Sequence, residues 1–246
     1  MVKVEIRQII VVTDGKSNVG GNPVTAAAEA YRENVIVNAI GIMDDRGSDD
    51  DSLCEVEKIA QMGGGIWENT IIQNLGQTMH VVTQKTVNKT IETIVGKQLK
   101  AIMGKDLEDM PPKVRSKVID YMEQLGEEVN IKCCILMDCS GSMKNKMSTA
   151  RQSIIELMHS LKGRKGKNQV AVISYPGQNG EFTALISDFT ENIGALKDKV
   201  FGLKAGGTTP TAAAINSAVT LIKGINHEEL EDVVRNSEPL LKESMV

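Results

Sequence analysis

The chain has 246 residues, 41% of them hydrophobic, with a formal net charge of −4 and a pI near 5.5. This length and apolar content allow one large domain or two small ones around a buried core, whereas the net negative charge and an aromatic content of 3% argue against nucleic acid as a partner. The first apolar run, at residues 9–12, is too short for a membrane span, and no secretory signal is recognised, so we expect a cytosolic protein that is not bound to a membrane.

The first third of the chain alternates short β-branched runs with amphipathic helical segments. This pattern is typical of an α/β sheet that helices cover on both faces. In chain order it predicts a buried strand, a helix with proline early, a second strand, a helix ended by three glycines and a short edge strand, at residues 9–13, 23–32, 35–42, 52–61 and 66–69.

The middle of the chain has a different pattern. Apolar residues keep helical spacing from residue 72 to residue 102, which predicts one long helix or two end to end. Met110-Pro111-Pro112 breaks the pattern, and a second amphipathic helix is predicted at 114–125, ending near Gly126. We expect the two segments to form a helical hairpin.

The last part returns to the alternating pattern. It predicts a strand, a helix, two strands paired antiparallel and two more helices, at residues 131–137, 147–161, 170–175, 182–188, 193–203 and 210–225. Residues 226–246 are polar and acidic and should form a surface helix or a loosely held tail. The predicted fold is therefore a three-layer α/β domain with a mostly parallel, doubly wound sheet and an added helical hairpin.

The cysteines do not indicate a disulfide framework. A chain of this size with Cys54, Cys133, Cys134 and Cys139, three of them in or beside one predicted strand, is expected to hold reduced, mostly buried thiols. The histidines His80, His159 and His227 are scattered, so a zinc site of the usual spacing is not expected.

Three segments carry candidate metal ligands. Asp138, Ser140 and Ser142 directly follow a predicted buried strand, and hard oxygen ligands of this kind suit Mg²⁺. Thr209 opens the last predicted helix, and Asp14 ends the first strand. Each segment has a simpler explanation when taken singly. A serine of the first can be a helix N-cap, Thr209 can be an N-cap with proline at the first helical position, and Asp14 can belong to a tight turn.

Taken together, the three segments lie at the edge where open α/β sheets place ligands. DxSxS at 138–142, GGTTPT at 206–211 and TDG at 13–15 resemble the metal-ion-dependent adhesion site (MIDAS) of von Willebrand factor type A (vWA) domains. The resemblance implies that Ser140 and Ser142 bind Mg²⁺, or Mn²⁺, directly. It implies that Thr209, Asp138 and Asp14 complete the shell directly or through water, leaving one position for an Asp or Glu of another protein.

The order of the motifs is unusual, because in the family DxSxS comes first and TDG last. Residues 1–82 resemble the carboxyl-terminal half of a vWA domain, including VIVNAIGI and IAQMGGG, and residues 131–225 resemble the amino-terminal half. We therefore expect a circularly permuted domain joined by a hairpin linker at 83–130 and followed by a tail at 226–246. A closed monomer is favoured by effective concentration, although two chains could exchange halves.

The resemblance implies a non-enzymatic, metal-dependent scaffold, like short cytosolic vWA proteins of spore-forming bacteria. One alternative is a Mg²⁺-dependent hydrolase, but GxSxG and GxxxxGK[ST] are absent and no base lies near the motifs unless folding brings in His80 or Lys144. Another is a structural protein with a vestigial metal site that binds through the helix at 72–103. The acidic segment 44–51 should rise at the metal-bearing rim as a solvated loop, with partner selection or a second cation as the less favoured role.

Overall fold

Six strands form one sheet at the centre of the molecule. The structure is a computed structural model and describes residues 5–43, 50–104, 106–178 and 180–224. The strands are β1 (Glu5–Thr13), β2 (Ile36–Met43), β3 (Gly64–Ile71), β4 (Asn130–Asp138), β5 (Asn168–Tyr175) and β6 (Ala184–Thr190). Their order is β3-β2-β1-β4-β5-β6, and every neighbouring pair is parallel except β5 and β6. The predicted mostly parallel sheet with one antiparallel pair is confirmed.

Helices cover both faces of this sheet. They are α1 (Pro23–Arg32), α2 (Asp50–Met62), α3 (Leu75–Met103), α4 (Pro112–Glu128), α5 (Met147–Leu161), α6 (Ile193–Val200) and α7 (Thr211–Lys223). Helices α1, α2 and α7 pack on one face, and α3, α5 and α6 on the other, while α4 packs against α3. This is the predicted three-layer, doubly wound arrangement.

The central strands are buried on both faces along residues 9–12 of β1 and 133–137 of β4, because these runs are entirely apolar. In β4, Ile135 and Met137 belong to the core on the α5 face, while Cys134 and Leu136 belong to the core on the α7 face. The cysteines follow the same pattern: Cys133, Cys134 and Cys139 are buried, Cys54 is exposed, and all four are free thiols. The prediction that the thiols are mostly buried is confirmed.

Helix ends follow local chemistry in several places. The side chain of Asn22 accepts hydrogen bonds from the backbone N–H groups of Val24 and Thr25, and Pro23 is the first residue of α1. Helix α3 is a single helix of 29 residues that ends at Gly104, whose φ of 65° is left-handed. The predicted domain division after residue 82 falls within this helix.

Some predicted bounds are wrong. Strand β6 lies two residues later than predicted, α6 ends at Val200 rather than 203, and α7 begins at Thr211. Pro210, not Thr209, is the N-cap of α7. The three glycines end α2 as predicted, but Gly64 and Gly65 also begin β3. Residue 65 must be a glycine here, because a Cβ would overlap the carbonyl oxygen of Val37 in the paired strand.

Two predictions concern residues outside the described ranges, namely most of the acidic loop (44–49) and the tail (226–246). Within the described ranges, no helix combines the length and the apolar character needed to cross a bilayer.

Candidate metal centre

The carboxyl ends of the two central strands bring together residues from distant parts of the chain. Strands β1 and β4 are parallel neighbours from the pair Glu5 and Asn130 to the pair Val12 and Met137, so the residues that follow both strands meet at one edge. There, the Thr13 hydroxyl lies 2.7 Å from Oδ2 of Asp138 and donates to it. The Asp138 side chain is fully buried.

Four of the five predicted ligands form one connected cluster of oxygens. The backbone N–H of Ser140 donates to Oδ1 of Asp138 at 2.8 Å, and the hydroxyls of Ser140 and Ser142 are 3.0 Å apart. The Ser142 hydroxyl in turn donates to Oδ1 of Asp14 at 2.6 Å. Ser140 and the Asp14 carboxylate are buried, whereas Ser142 is exposed, so the cluster reaches the surface at Ser142.

The fifth predicted ligand, Thr209, is held at the same edge by backbone hydrogen bonds. Gly206 N–H donates to the carbonyl of Cys139 at 2.7 Å, and the N–H of Thr209 donates to the side chain of Asn18 at 2.9 Å, while Asn18 N–H donates back to the carbonyl of Thr209. Gly207 has a φ of 93°, which a residue with a side chain rarely adopts. This loop and the loop after β1 therefore position Thr209 jointly.

The buried carboxyl of Asp138 has an unusual protonation equilibrium. Burial raises the pKa of Asp138 from its ordinary value of 3.8 to about 6, and hydrogen bonds from Ser140 and Thr13 offset part of that effect. The negative charge of Asp14 adds a smaller increase. A carboxylate in such a place is stabilised by a nearby positive charge, which is the condition expected of a cation ligand.

Lys146 is a residue of this site that the sequence analysis did not identify. Its ammonium group lies 2.6 Å from Oδ2 of Asp14, and the two side chains are 10% and 0% exposed. Asp14 and Lys146 are 132 residues apart in sequence, so no local spacing signals the contact. Lys146 follows a short 3₁₀ segment, Gly141–Asn145, and directly precedes α5, which begins at Met147 as predicted.

The donor set is made of oxygen atoms. The predicted ligands combine two carboxylates with the hydroxyls of Ser140, Ser142 and Thr209, which are hard donors suited to Mg²⁺ or Mn²⁺. Across the described residues, no group of three or more His, Cys, Asp or Glu side chains is arranged to hold a metal ion. By their oxygen chemistry, the predicted ligands fit a hard divalent cation held by few carboxylates.

His80 lies far from this cluster. It lines a cavity with Ile131 and Arg164, which flank the start of β4, whereas Asp138 ends that strand. At ~3.3 Å per residue, the seven steps from Ile131 to Asp138 span about 23 Å. Lys144 lies within the 3₁₀ segment with an exposed side chain.

Comparison with known proteins agrees with the fold. The chain is 36% identical over 215 residues to the uncharacterised protein YabS of Bacillus subtilis, covering 87% of each sequence. It superposes with a TM-score of 0.82 on the crystal structure of an uncharacterised protein from Alicyclobacillus acidocaldarius, at 36% identity over 95% of this chain and 97% of that one. A family model for the von Willebrand factor type A domain matches residues 133–235.

The chain belongs to the vWA family. The matched residues include Asp138, Ser140, Ser142 and Thr209, whereas Asp14 lies outside the matched range. Proximal thread matrix protein 1 of the mussel byssus, solved with a zinc-occupied MIDAS motif, is 17% identical over 83% of this vWA chain and 43% of its own. Its TM-score of 0.28 is too low to bear on this site.

Proposed function

We propose that this vWA domain is a non-enzymatic binding protein that holds a divalent cation, Mg²⁺ or Mn²⁺, and through it captures a carboxylate of another protein. The observation that carries the proposal is the connected oxygen cluster of Asp14, Asp138, Ser140 and Ser142 at the carboxyl edge of the sheet. Thr209, held at the same edge, completes the proposed ligand set. A bound cation would supply a Lewis acid with an exchangeable position for an Asp or Glu side chain.

The residues of the chain favour binding. Asp138 and Ser140 are buried and held by strand pairing and hydrogen bonds, so their positions need little reorganisation when an ion enters. Ser142 is exposed and marks the side from which an outside carboxylate would approach. Preorganised ligands with one open side suit capture of a partner.

We further propose that the chain is a circularly permuted vWA domain that closes on itself as a monomer. Strand β1, which ends in TDG, lies between β2 and β4, and β4 ends in DxSxS, so both motifs meet within one chain. Helices α3 and α4 connect β3 to β4. Light scattering of the purified protein gives the mass that separates this monomer from a dimer with exchanged halves.

A hydrolase receives no support from the residues around the cluster. A general base must lie within hydrogen-bond reach of the group it deprotonates, and His80 is at the opposite end of β4. The second candidate base, Lys144, has an exposed side chain in the 3₁₀ segment, and the nearby Lys146 forms an ion pair with Asp14. We also propose a cytosolic location, which the free thiols support.

The metal step is tested by thermal unfolding and calorimetric titration with Mg²⁺ and Mn²⁺, with EDTA as the reference. We expect a rise in melting temperature for the unaltered protein and none for Asp14→Ala. Asp51→Ala is the matched control, because it removes the same charge from an exposed side chain paired with Lys16, which lies two residues beyond Asp14. Equal responses of both variants would refute the assigned site.

The capture step is tested with displayed random peptides selected in Mg²⁺ and eluted with EDTA. We expect the enriched peptides to share an Asp or Glu whose replacement by Asn or Gln abolishes binding. The matched variant is Ser142→Ala, which should lose these peptides. Peptides that bind equally to Ser142→Ala and in EDTA would instead support a vestigial site and binding through another surface, such as α3.

A further inference from the structure

The ammonium group of Lys146 lies within the cluster of proposed ligands. The two oxygens of Asp14 are divided between different partners: Oδ1 accepts from Ser142, and Oδ2 accepts from Lys146, both at 2.6 Å. The Asp14 side chain is fully buried and that of Lys146 is 10% exposed. A positive charge of the chain itself thus already neutralises one of the carboxylates that an incoming cation needs.

We propose that Lys146 is a built-in counter-cation that weakens binding of the divalent ion alone, so that the ion binds more tightly when the partner's carboxylate is present. This inference rests on the proposed function. The two carboxylates and the ammonium sum to −1, and a divalent ion changes this to +1. A third carboxylate, supplied by the partner, brings the summed charge of these groups to zero. The ion and the partner's carboxylate should therefore bind more tightly together than separately, because each offsets the charge that the other brings to the site.

The backbone around Lys146 keeps the counter-cation beside the ligands. The N–H of Lys146 donates to the carbonyl of Met143, and the N–H of Ala150 donates to the carbonyl of Lys146, which anchors it between the 3₁₀ segment and α5. Ser142 belongs to that same 3₁₀ segment. Because ligand and counter-cation share one short, hydrogen-bonded stretch of chain, the ammonium is not an incidental surface contact.

The test compares Mg²⁺ affinity, measured by calorimetric titration, in the unaltered protein, Lys146→Met and Lys144→Met. Methionine keeps much of the lysine volume without the charge, and Lys144 is an exposed lysine two residues away, so the control removes an equal charge from nearby solvent. Removing a positive charge that lies 2.6 Å from a proposed ligand should tighten Mg²⁺ binding about tenfold or more in Lys146→Met and less than about twofold in Lys144→Met.

A second comparison addresses the coupling. Acetate serves as the probe for the partner's carboxylate, and we expect it to raise the Mg²⁺ affinity of the unaltered protein by a larger factor than that of Lys146→Met. In EDTA, Lys146→Met should melt at a lower temperature than the unaltered protein, because its Asp14 is buried without the ammonium. Added Mg²⁺ should then raise its melting temperature by more. If Lys146→Met does not fold, Lys146→Gln gives the same comparison, since it loses the charge but can still donate to Asp14.

The outcomes separate the two proposals. Tighter Mg²⁺ binding by the neutral variants and a smaller acetate effect support the counter-cation. Mg²⁺ binding by the unaltered protein with equal or weaker binding by the neutral variants overturns the role of Lys146 and leaves the proposed function standing. Absence of Mg²⁺ binding in every protein overturns the metal step of the proposed function, and the role of Lys146 with it.

Discussion

Replacing Asp138 with Asn should stabilise the protein in EDTA at neutral pH, although it removes a proposed ligand. Burial raises the pKa of Asp138 from 3.8 to about 6, and a tenfold change in a protonation equilibrium corresponds to ~1.4 kcal/mol, so ionised Asp138 costs the folded state about 3 kcal/mol. The neutral amide avoids this cost. Its nitrogen can donate to the Thr13 hydroxyl, whose own proton then goes to the carbonyl of Gly15, 2.9 Å away.

The pH dependence has a definite sign. Because the folded-state pKa of Asp138 is raised, its protonation stabilises the folded state; that stabilisation is complete below about pH 4 and is lost as the pH rises through about 6. The advantage of Asp138→Asn should therefore be about 2 to 3 kcal/mol at pH 7.5 and should disappear near pH 4.

Urea denaturation in EDTA at pH 7.5, 6, 5 and 4 measures this difference as a set of unfolding free energies. In saturating Mg²⁺ the order should reverse, because only the unaltered protein gains the energy of ion binding. A variant that is less stable than the unaltered protein by a constant amount at every pH would refute the reasoning, since it would mean that Asp138 is not destabilised by burial.

Three substitutions and one labelling experiment test the packing of the fold. Tyr175→Phe removes a buried hydrogen bond to the carbonyl of Val12, 2.9 Å long, and should cost ~1–2 kcal/mol in urea denaturation; no measurable cost would contradict the described geometry. Gly65→Ala should cost ~2 kcal/mol or more, because its Cβ would overlap a paired strand, whereas Gly96→Ala, with nothing within 4 Å in α3, should stabilise by ~0.5–1 kcal/mol. Ellman's reagent should label Cys54 alone in the native protein and all four thiols in denaturant, because the other three are buried; rapid labelling of a second native thiol would contradict that burial.

Elements whose determinants are local could be predicted closely from the sequence. The bounds of α1 and α5 were predicted to the residue, and α1 is preceded by an N-cap asparagine and begins with a proline that suits its first position. The apolar spacing that predicted a long helix after residue 71 corresponds to α3. In these segments, residues close in sequence cap the helix ends, and the regular spacing of apolar residues determines which face is buried.

Features that depend on distant contacts could not be predicted from local spacing. Local rules make Thr209 an N-cap, but its backbone N–H is bonded to Asn18, 191 residues away, and α7 begins later. The ion pair of Lys146 with Asp14 likewise joins distant segments. The general rule for parallel sheets predicts that the motif residues lie at one edge of the sheet. The individual hydrogen bonds among them could be seen only in the structure.

The pairing of the two central strands has a consequence for synthesis on the ribosome. Thr13 and Asp138, at the ends of β1 and β4, are 125 residues apart, so at ~5–20 residues per second β1 waits about 6 to 25 s for its central neighbour to be made. During that time β2 is the one of its two neighbours already made, and the edge of β1 that later meets β4 exposes unpaired backbone groups. Such an edge is a template for association with other chains, so the newborn chain should need protection by chaperones for longer than one whose central strands are adjacent in sequence.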